Sequence, residues 1–313
     1  MNILPNYINL IWNSRKDWKV TYSYEKDLSD DYYITRVKLR KTKSVINIYG
    51  KINDNYKNII KSNKISKIIS NKSLLKSNIQ KCVRRNLPQQ AVISALNLIN
   101  IDFLTFIRRL IIITIEDVGI TNNLNLLVWL MMAYPNFELN NEIIQYLLLT
   151  VYSLCKYPFK IIPDSNRGEL DWENININND YAVGLLIRSE YGGMKGDIAL
   201  INKFINSNNV FNEIINVSTK NLVIIRNIQK NDIIKPSIDF HCFPKIIDYI
   251  LDKINHKYSR EILVKTIWFN SSCFNYRENI DSQNIYKKQW MEIERYFYEY
   301  QNLKYSKLFL IKK

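Results

Sequence analysis

Two early stretches of the chain alternate apolar and polar residues one for one. Trp18, Val20, Tyr22 and Tyr24 are separated by polar neighbours, and the set Tyr33, Thr35, Val37 and Leu39 alternates from Thr35 onward with Arg36, Lys38 and Arg40. A period of two is that of a strand with one covered face. A third segment, Val45 to Tyr49, stops at Gly50. Together they predict a small antiparallel β element over residues 1–56. From Lys57 the period becomes helical: Ile60, Ile65, Ile68, Ile69, Leu75, Ile79 and Val83 form an apolar stripe. Helices then follow one another to residue 160. Pro88 suits the first turn of one helix and Asp102 the N-cap of the next, which starts at Phe103 and ends at Gly119. A short helix over Leu124 to Tyr134 and one capped by Asn140 or Asn141 complete the group. The short connections predict antiparallel packing in a bundle.

Residues 161–180 break this pattern. Pro163, Asn166 and Gly168 are loop formers, and Asp164, Glu169, Asp171, Glu173 and Asp180 make the stretch acidic, so it reads as a linker. Beyond it, helical patterns recur at Tyr181–Arg188, Ile198–Ile205, Phe243–Ile254 and Arg260–Phe269, and an aromatic helix runs from Tyr286 to Tyr300. The predicted fold is therefore mainly α: a basic β element (1–56), a helical bundle with a basic first helix (57–160), an acidic linker (161–180) and a second helical region (181–313).

Composition supports a globular chain. Its 313 residues are 47% hydrophobic, enough to bury one large core or two modest ones. The longest apolar run, Leu124 to Tyr134, falls short of the roughly 18 to 20 residues a membrane span needs. No basic leader precedes the apolar patch at Ile8 to Trp12. These features predict a soluble intracellular protein, cytoplasmic or nuclear, without a membrane partner. Cys82, Cys155, Cys242 and Cys273 are scattered, and with only His241 and His256 to join them no zinc ligand set emerges; neither metal nor cofactor is expected.

Charge changes the picture more. Of the net +15, residues 1–86 carry +13, from 19 Lys/Arg against 6 Asp/Glu. The abundance of Lys, Asn and Ile suggests AT-rich coding, and the texture resembles proteins of large AT-rich DNA viruses. Coding bias acts along the whole chain, however, and does not segregate charge. A one-sided basic region points to a polyanionic partner, DNA or RNA. Arg36, Lys38 and Arg40 alternate with apolar residues and share one sheet face. Lys57, Lys61, Lys64, Lys72 and Lys76 recur at helical spacing, with Lys81, Arg84 and Arg85 behind them. These eleven residues are the candidate phosphate contacts; the alternative is a solvated lysine face.

The helix FLTFIRRLIIITIEDVGI, residues 103–120, carries Arg108 and Arg109 and ends in Glu116 and Asp117. Charges in so apolar a helix need partners. Acids in a last turn also oppose the helix dipole, at about 0.3–1 kcal/mol each. A salt-bridge network among Arg108, Arg109, Glu116 and Asp117, helped by Arg84 or Arg85, is one reading; a subunit or nucleic-acid interface is the other.

KSNIQKCVRRNLPQQAVISALNLI followed by FIRRLIIITIEDVGI resembles the C-terminal helical collar of clamp-loader-like AAA+ ATPases of the MgsA/RarA and Werner-helicase-interacting type, over about residues 76–160. Lys81 and Arg84, then Ala91 and Ala95, then Arg108, Arg109, Leu110, Glu116, Asp117 and Gly119 carry the likeness. It implies an oligomerising collar in DNA replication or repair. No GxxxxGK[ST] loop is present among the seven glycines, so ATP hydrolysis is not implied.

Three other motifs each admit two readings. SEYGGMKGD (189–197) reads as a tight interhelical turn, with phosphate contact by Arg188 or Lys195 as the alternative. In IDFHCFP (238–244), His241 reads as a hydrogen-bonded structural residue; a nuclease using Asp239, His241 and Glu261 is the weakest option. Trp268, Phe274, Tyr276, Trp290, Tyr296, Phe297 and Tyr300 read as core or interface, with base stacking beside Arg277 and Arg295 as the alternative. The chain is thus expected to be a non-catalytic nucleic-acid-associated scaffold or accessory factor of replication, repair or transcription, a homo-oligomer or a docking partner for replication proteins. The alternative is a protein-interaction or virion structural component.

Overall fold

The computed structural model describes residues 4–53, 71–172, 175–207, 209–218, 228–238, 244–278 and 284–308. The protein is mainly helical with a four-stranded sheet at its N-terminal end. It divides into two compact units, one made of Met1–Lys64 with Asp102–Val223, the other of Ile65–Ile101 with Ile224–Lys313.

The first unit opens with β1 (Tyr7–Ser14), β2 (Asp17–Ser23), β3 (Tyr33–Lys38) and β4 (Val45–Ile52), in the order β2-β1-β4-β3. The sheet is mixed, not antiparallel as the sequence predicts, because β1 pairs in parallel with β4, Tyr7 opposite Asn47. Strand β1 carries no alternation to announce it. Its first half is covered on both faces, with Ile8, Asn9 and Leu10 all buried, while beyond it the exposed position between Leu10 and Trp12 is itself apolar, Ile11, so the strand reads as an apolar patch.

Helices α3 (Phe103–Asp117), α4 (Leu124–Ala133), α5 (Asn141–Lys156), α6 (Asp180–Tyr191) and α7 (Lys195–Ile205) complete this unit. The predicted caps form: Asp102 accepts from the Thr105 amide at 2.9 Å and Asn140 from Ile143 at 2.8 Å. Helix α4 is apolar all round and buried throughout, which makes it the central element. Its Trp129 donates from Nε1 to the Tyr49 carbonyl at 2.8 Å, and only a glycine at position 50 leaves room for the ring. Trp12, fully buried, donates to Glu142 in the first turn of α5. The predicted acidic linker is tied into this unit by asparagines. Asn206 receives the Asp171 amide at 3.1 Å and donates to the Glu169 carbonyl at 2.6 Å, and Asn202 donates to the Gly168 carbonyl. The Ile161 amide also donates to the Val118 carbonyl at 2.7 Å.

The second unit brings α1 (Lys72–Arg84) and α2 (Pro88–Ile101) together with α8 (Pro244–Lys253), α9 (Arg260–Ile267), a π-helical turn (Trp268–Ser272) and α10 (Lys287–Leu308). The expected 57–160 bundle, and with it the segment of the collar resemblance, is therefore shared between the two units. Asn78 on α1 shows why its partners lie so far along the chain. Fully buried, it donates to Ser94 and to the Asp232 carbonyl, each at 2.7 Å, and accepts from the Ile234 amide and the Ser237 hydroxyl. Its hydrogen-bonding capacity is thus largely filled from residues 94 and 232–237. Ile246, Ile250, Leu263, Ile267, Ile293 and Phe297 form the apolar core of this unit.

Candidate nucleic-acid interface

The predicted contacts separate into three groups. Lys57, Lys61 and Lys64 lie outside the described residues. Arg36, Lys38 and Arg40 are exposed, and the alternation that predicts a shared face persists through buried Leu39. Lys72 is exposed and Lys76 half-buried on α1.

Lys81 and Arg84 correct the expectation, being 3% and 8% exposed. Both donate to the Ser272 carbonyl at 2.5 Å, and Arg85 donates to the Ser271 carbonyl at 2.5 Å while stacking on Phe274. Arg277, from beyond the turn, donates back to the Val83 carbonyl at 3.1 Å and stacks on Tyr276. The reason is helix chemistry: the turn Trp268–Ser272 ends a helical run, and terminal carbonyls have no partner within it. Lys81, Arg84 and Arg85 fill that role, the first two buried and Arg85 half-buried. The aromatic C-terminal helix likewise spends Phe297 on the core, with Trp290 edge-on to it. The Asp239–Phe243 stretch, with His241 and Cys242, lies outside the described residues.

The surface the sequence indicated only in part is the β3–β4 hairpin. From Tyr32 to Asn53 the chain has six cations and no acid. Arg36, Lys38, Arg40, Lys41 and Lys43 are all exposed, and none of the five makes an ion pair among the described residues. The Leu39 amide donates to the Ser44 carbonyl at 2.9 Å, closing the loop, and Lys43 takes a left-handed conformation at φ 60°. The loop is fixed on α6, where buried Glu190 accepts from the Thr42 amide at 3.2 Å.

Arg108 and Arg109 point to the same region. Arg109 pairs with Asp197 on α7 at 3.6 Å, and Arg108 stacks on Tyr191 and reaches the Gly192 carbonyl at 3.5 Å. Arg109 thus has a partner on α7 that the expected network with Glu116 and Asp117 did not include. Arg84 and Arg85, expected to help Glu116 and Asp117, belong to the other unit. Asp117 is buried and Glu116 half-buried.

A second concave feature lies at the β1–β2 turn, a cavity of about 630 Å³. Arg15, Lys16 and Lys19 rim it, with Trp18, Tyr146, Tyr181, Asn122, Asn125 and Asp180 among the other walls. Burial pushes the Tyr146 hydroxyl up to about 12 and raises Asp180, the latter against the pull of Lys19. Cations beside aromatic faces are the ingredients of a site for an unstacked base and its phosphate. The sequence signal was present in WNSRKDWKV, but without β1 as a strand the hairpin that gathers these residues could not be seen.

Among the described residues no group of three His, Cys, Asp or Glu side chains is placed to hold a metal, and no helix is long and apolar enough to cross a membrane. No protein-family model matches the chain, and neither a curated protein nor a solved structure was found to resemble it.

Proposed function

We propose that this chain is a non-catalytic nucleic-acid-binding protein, an accessory or scaffold factor of replication, repair or transcription. The observation that carries the reading is the β3–β4 hairpin, with its five exposed cations, its lack of acids and its rigid attachment to α6 through Glu190. Phosphate backbones reward such a surface by counterion release, whatever the base sequence. The cation-rimmed aromatic cavity at the β1–β2 turn supports the same reading, as a place for an unpaired base. The collar resemblance supplies the replication or repair context and extends the proposal to self-assembly through the helical region, which light scattering on the purified chain tests.

The deciding experiment is a salt-titrated binding assay of the full chain on single- and double-stranded oligonucleotides. Five phosphate contacts give a log–log slope of about −4.5 on duplex, at about −0.9 per phosphate. Replacing Arg36, Lys38, Arg40, Lys41 and Lys43 together by Gln removes most of that slope. The competing explanation is that edge strand β3 carries charge only to discourage pairing with other sheets. Absence of binding at low salt, or an unchanged slope in the variant, favours that explanation and a protein-interaction role.

A further inference from the structure

The α6–α7 turn holds more positive charge than its carboxylates answer. Arg188, on the last turn of α6, is 2% exposed. Among the described residues it makes a single hydrogen bond, from Nη1 to the Gly192 carbonyl at 2.8 Å, and its buried Nε has no acceptor. Arg108 approaches the same carbonyl from α3. The stem of Arg40 packs beside Gly192, its Cδ 3.5 Å from where a side chain there would begin. Lys195, exposed, opens α7. Against these stand two acids. Glu190 is taken by the Thr42 amide, and Asp197 by Arg109.

The backbone is shaped to the same end. Gly192 sits at φ 102°, a conformation other residues rarely adopt, and turns the chain away from α6. Gly193 keeps the approach to Arg188 open, with Nη1 3.5 Å from the position of a Cβ. Met194 gives α7 no side-chain cap, so its first amides have no partner within the helix, and nothing lies within 4 Å of the Gly196 Cβ position. A buried guanidinium with an orphaned donor, two further cations and an uncapped helix start converge on one turn. A tetrahedral oxyanion supplies acceptors in all of these directions. Arg188 is also depressed to about 10, by burial first and then by Arg108, with Asp197 pulling it back only in part, so it stays protonated at neutral pH while the free protein bears the cost of that charge.

We propose that the α6–α7 turn is a binding site for a phosphate dianion, held by Arg108, Arg188, Lys195 and the first amides of α7. Free phosphate and the terminal phosphomonoester of a nucleic-acid strand share this chemistry. The site does not depend on nucleic-acid binding by the hairpin.

The test is thermal unfolding and calorimetric titration of the full chain with inorganic phosphate, at ionic strength held constant with sodium chloride. A saturable rise in melting temperature is expected, with affinity falling about tenfold for Arg108→Gln and again for Lys195→Gln, as expected for loss of one charge-assisted contact. Both side chains are at least partly exposed, so folding is not at stake. Arg188→Lys keeps the charge and loses the planar fork, and weakens binding as well. A 5′-phosphorylated oligonucleotide that displaces phosphate better than its 5′-hydroxyl form identifies strand ends as the source; displacement by neither identifies free phosphate. Phosphate acting no differently from chloride, or equally on wild type and the Arg108 and Lys195 variants, overturns the proposal, and does so whether or not the hairpin binds nucleic acid.

Discussion

Each unit gathers cations, and the two gatherings differ in what they face. In the second unit, Lys81, Arg84, Arg85 and Arg277 converge on backbone carbonyls at 2.5–3.1 Å, and the receiving groups are oxygens at helix ends. In the first, the hairpin cations face solvent, and Arg108 and Arg188 share one carbonyl, as Lys81 and Arg84 do in the second, but the buried Nε of Arg188 is left without an acceptor. Residue type does not separate these cases, since both are lysines and arginines within basic stretches. What separates them is the supply of acceptors. A cation with a full complement of internal acceptors is part of the scaffold; one without them is available to a partner.

The largest effect that can break this contrast is on nucleic-acid affinity. If the five hairpin cations contact phosphates, wild-type affinity for duplex falls on the order of several hundredfold between 50 and 200 mM salt, following the slope of about −0.9 per contact. The five-fold Gln variant shows little of that fall. Arg84→Met, by contrast, leaves both affinity and slope unchanged in the same assay. If Arg84→Met weakens binding as much as the hairpin variant, the division between internal and available cations is wrong.

The next effect is on stability. Arg84→Met keeps the packing of the stem and removes a donor from the buried Ser272 carbonyl. Lys81 still donates to that carbonyl, so what is lost is one hydrogen bond from a charged group, about 1.5–3 kcal/mol, read as a lowered urea midpoint at constant m-value. Arg188→Met in phosphate-free buffer is expected to change stability by less than about 1 kcal/mol. It gives up one hydrogen bond but also relieves a desolvated charge pressed by Arg108. Equal losses from the two substitutions would show that Arg188 is as well satisfied as Arg84.

The sequence revealed these features unevenly, for physical reasons. Helix limits were legible because they are local: Asp102 and Asn140 cap helices that begin at Phe103 and Asn141, and Gly119 follows the end of α3. Strand β1 was not, because its first half is covered on both faces and its exposed position 11 carries an isoleucine, which together erase the period-two signature. The partners of α1 were not legible either. Asn78 and Lys81 meet residues 154 to 191 positions away, a separation on which periodicity is silent. Burial of Lys81 and Arg84 follows from that docking and reverses their reading. On β3, alternation exposed Arg36, Lys38 and Arg40, but Lys41 and Lys43 joined them only once the loop was seen. The turn SEYGGMKGD was read mainly as a turn, which it is; the arginines that crowd it come from α3 and the β3–β4 loop, again long-range neighbours.

The smallest expected effect concerns the opposite charge in the same unit. Asp180, beside the β1–β2 cavity, has its pKa raised by burial, with Lys19 pulling it back. Below the unfolded value near 3.8 both states hold the proton, and the carboxyl costs nothing. As pH climbs through the raised folded value, the unfolded chain sheds its proton more readily, so stability is lost in that window and the loss persists at neutral pH. Asp180→Asn removes this dependence. With the group largely in contact with solvent, screening limits the gain at pH 7 to a few tenths of a kcal/mol. Its position in the first turn of α6, where a negative charge suits the helix dipole, works against the gain. The informative measurement is therefore the difference between wild-type and Asp180→Asn stability at pH 3 and at pH 7. A difference that shifts in favour of Asn as pH rises means that the cavity tolerates its carboxylate at a cost, as the α6–α7 turn tolerates Arg188. A shift in favour of Asp means that Lys19 and the helix end already satisfy it, and the cavity then belongs with the well-supplied cluster of the second unit.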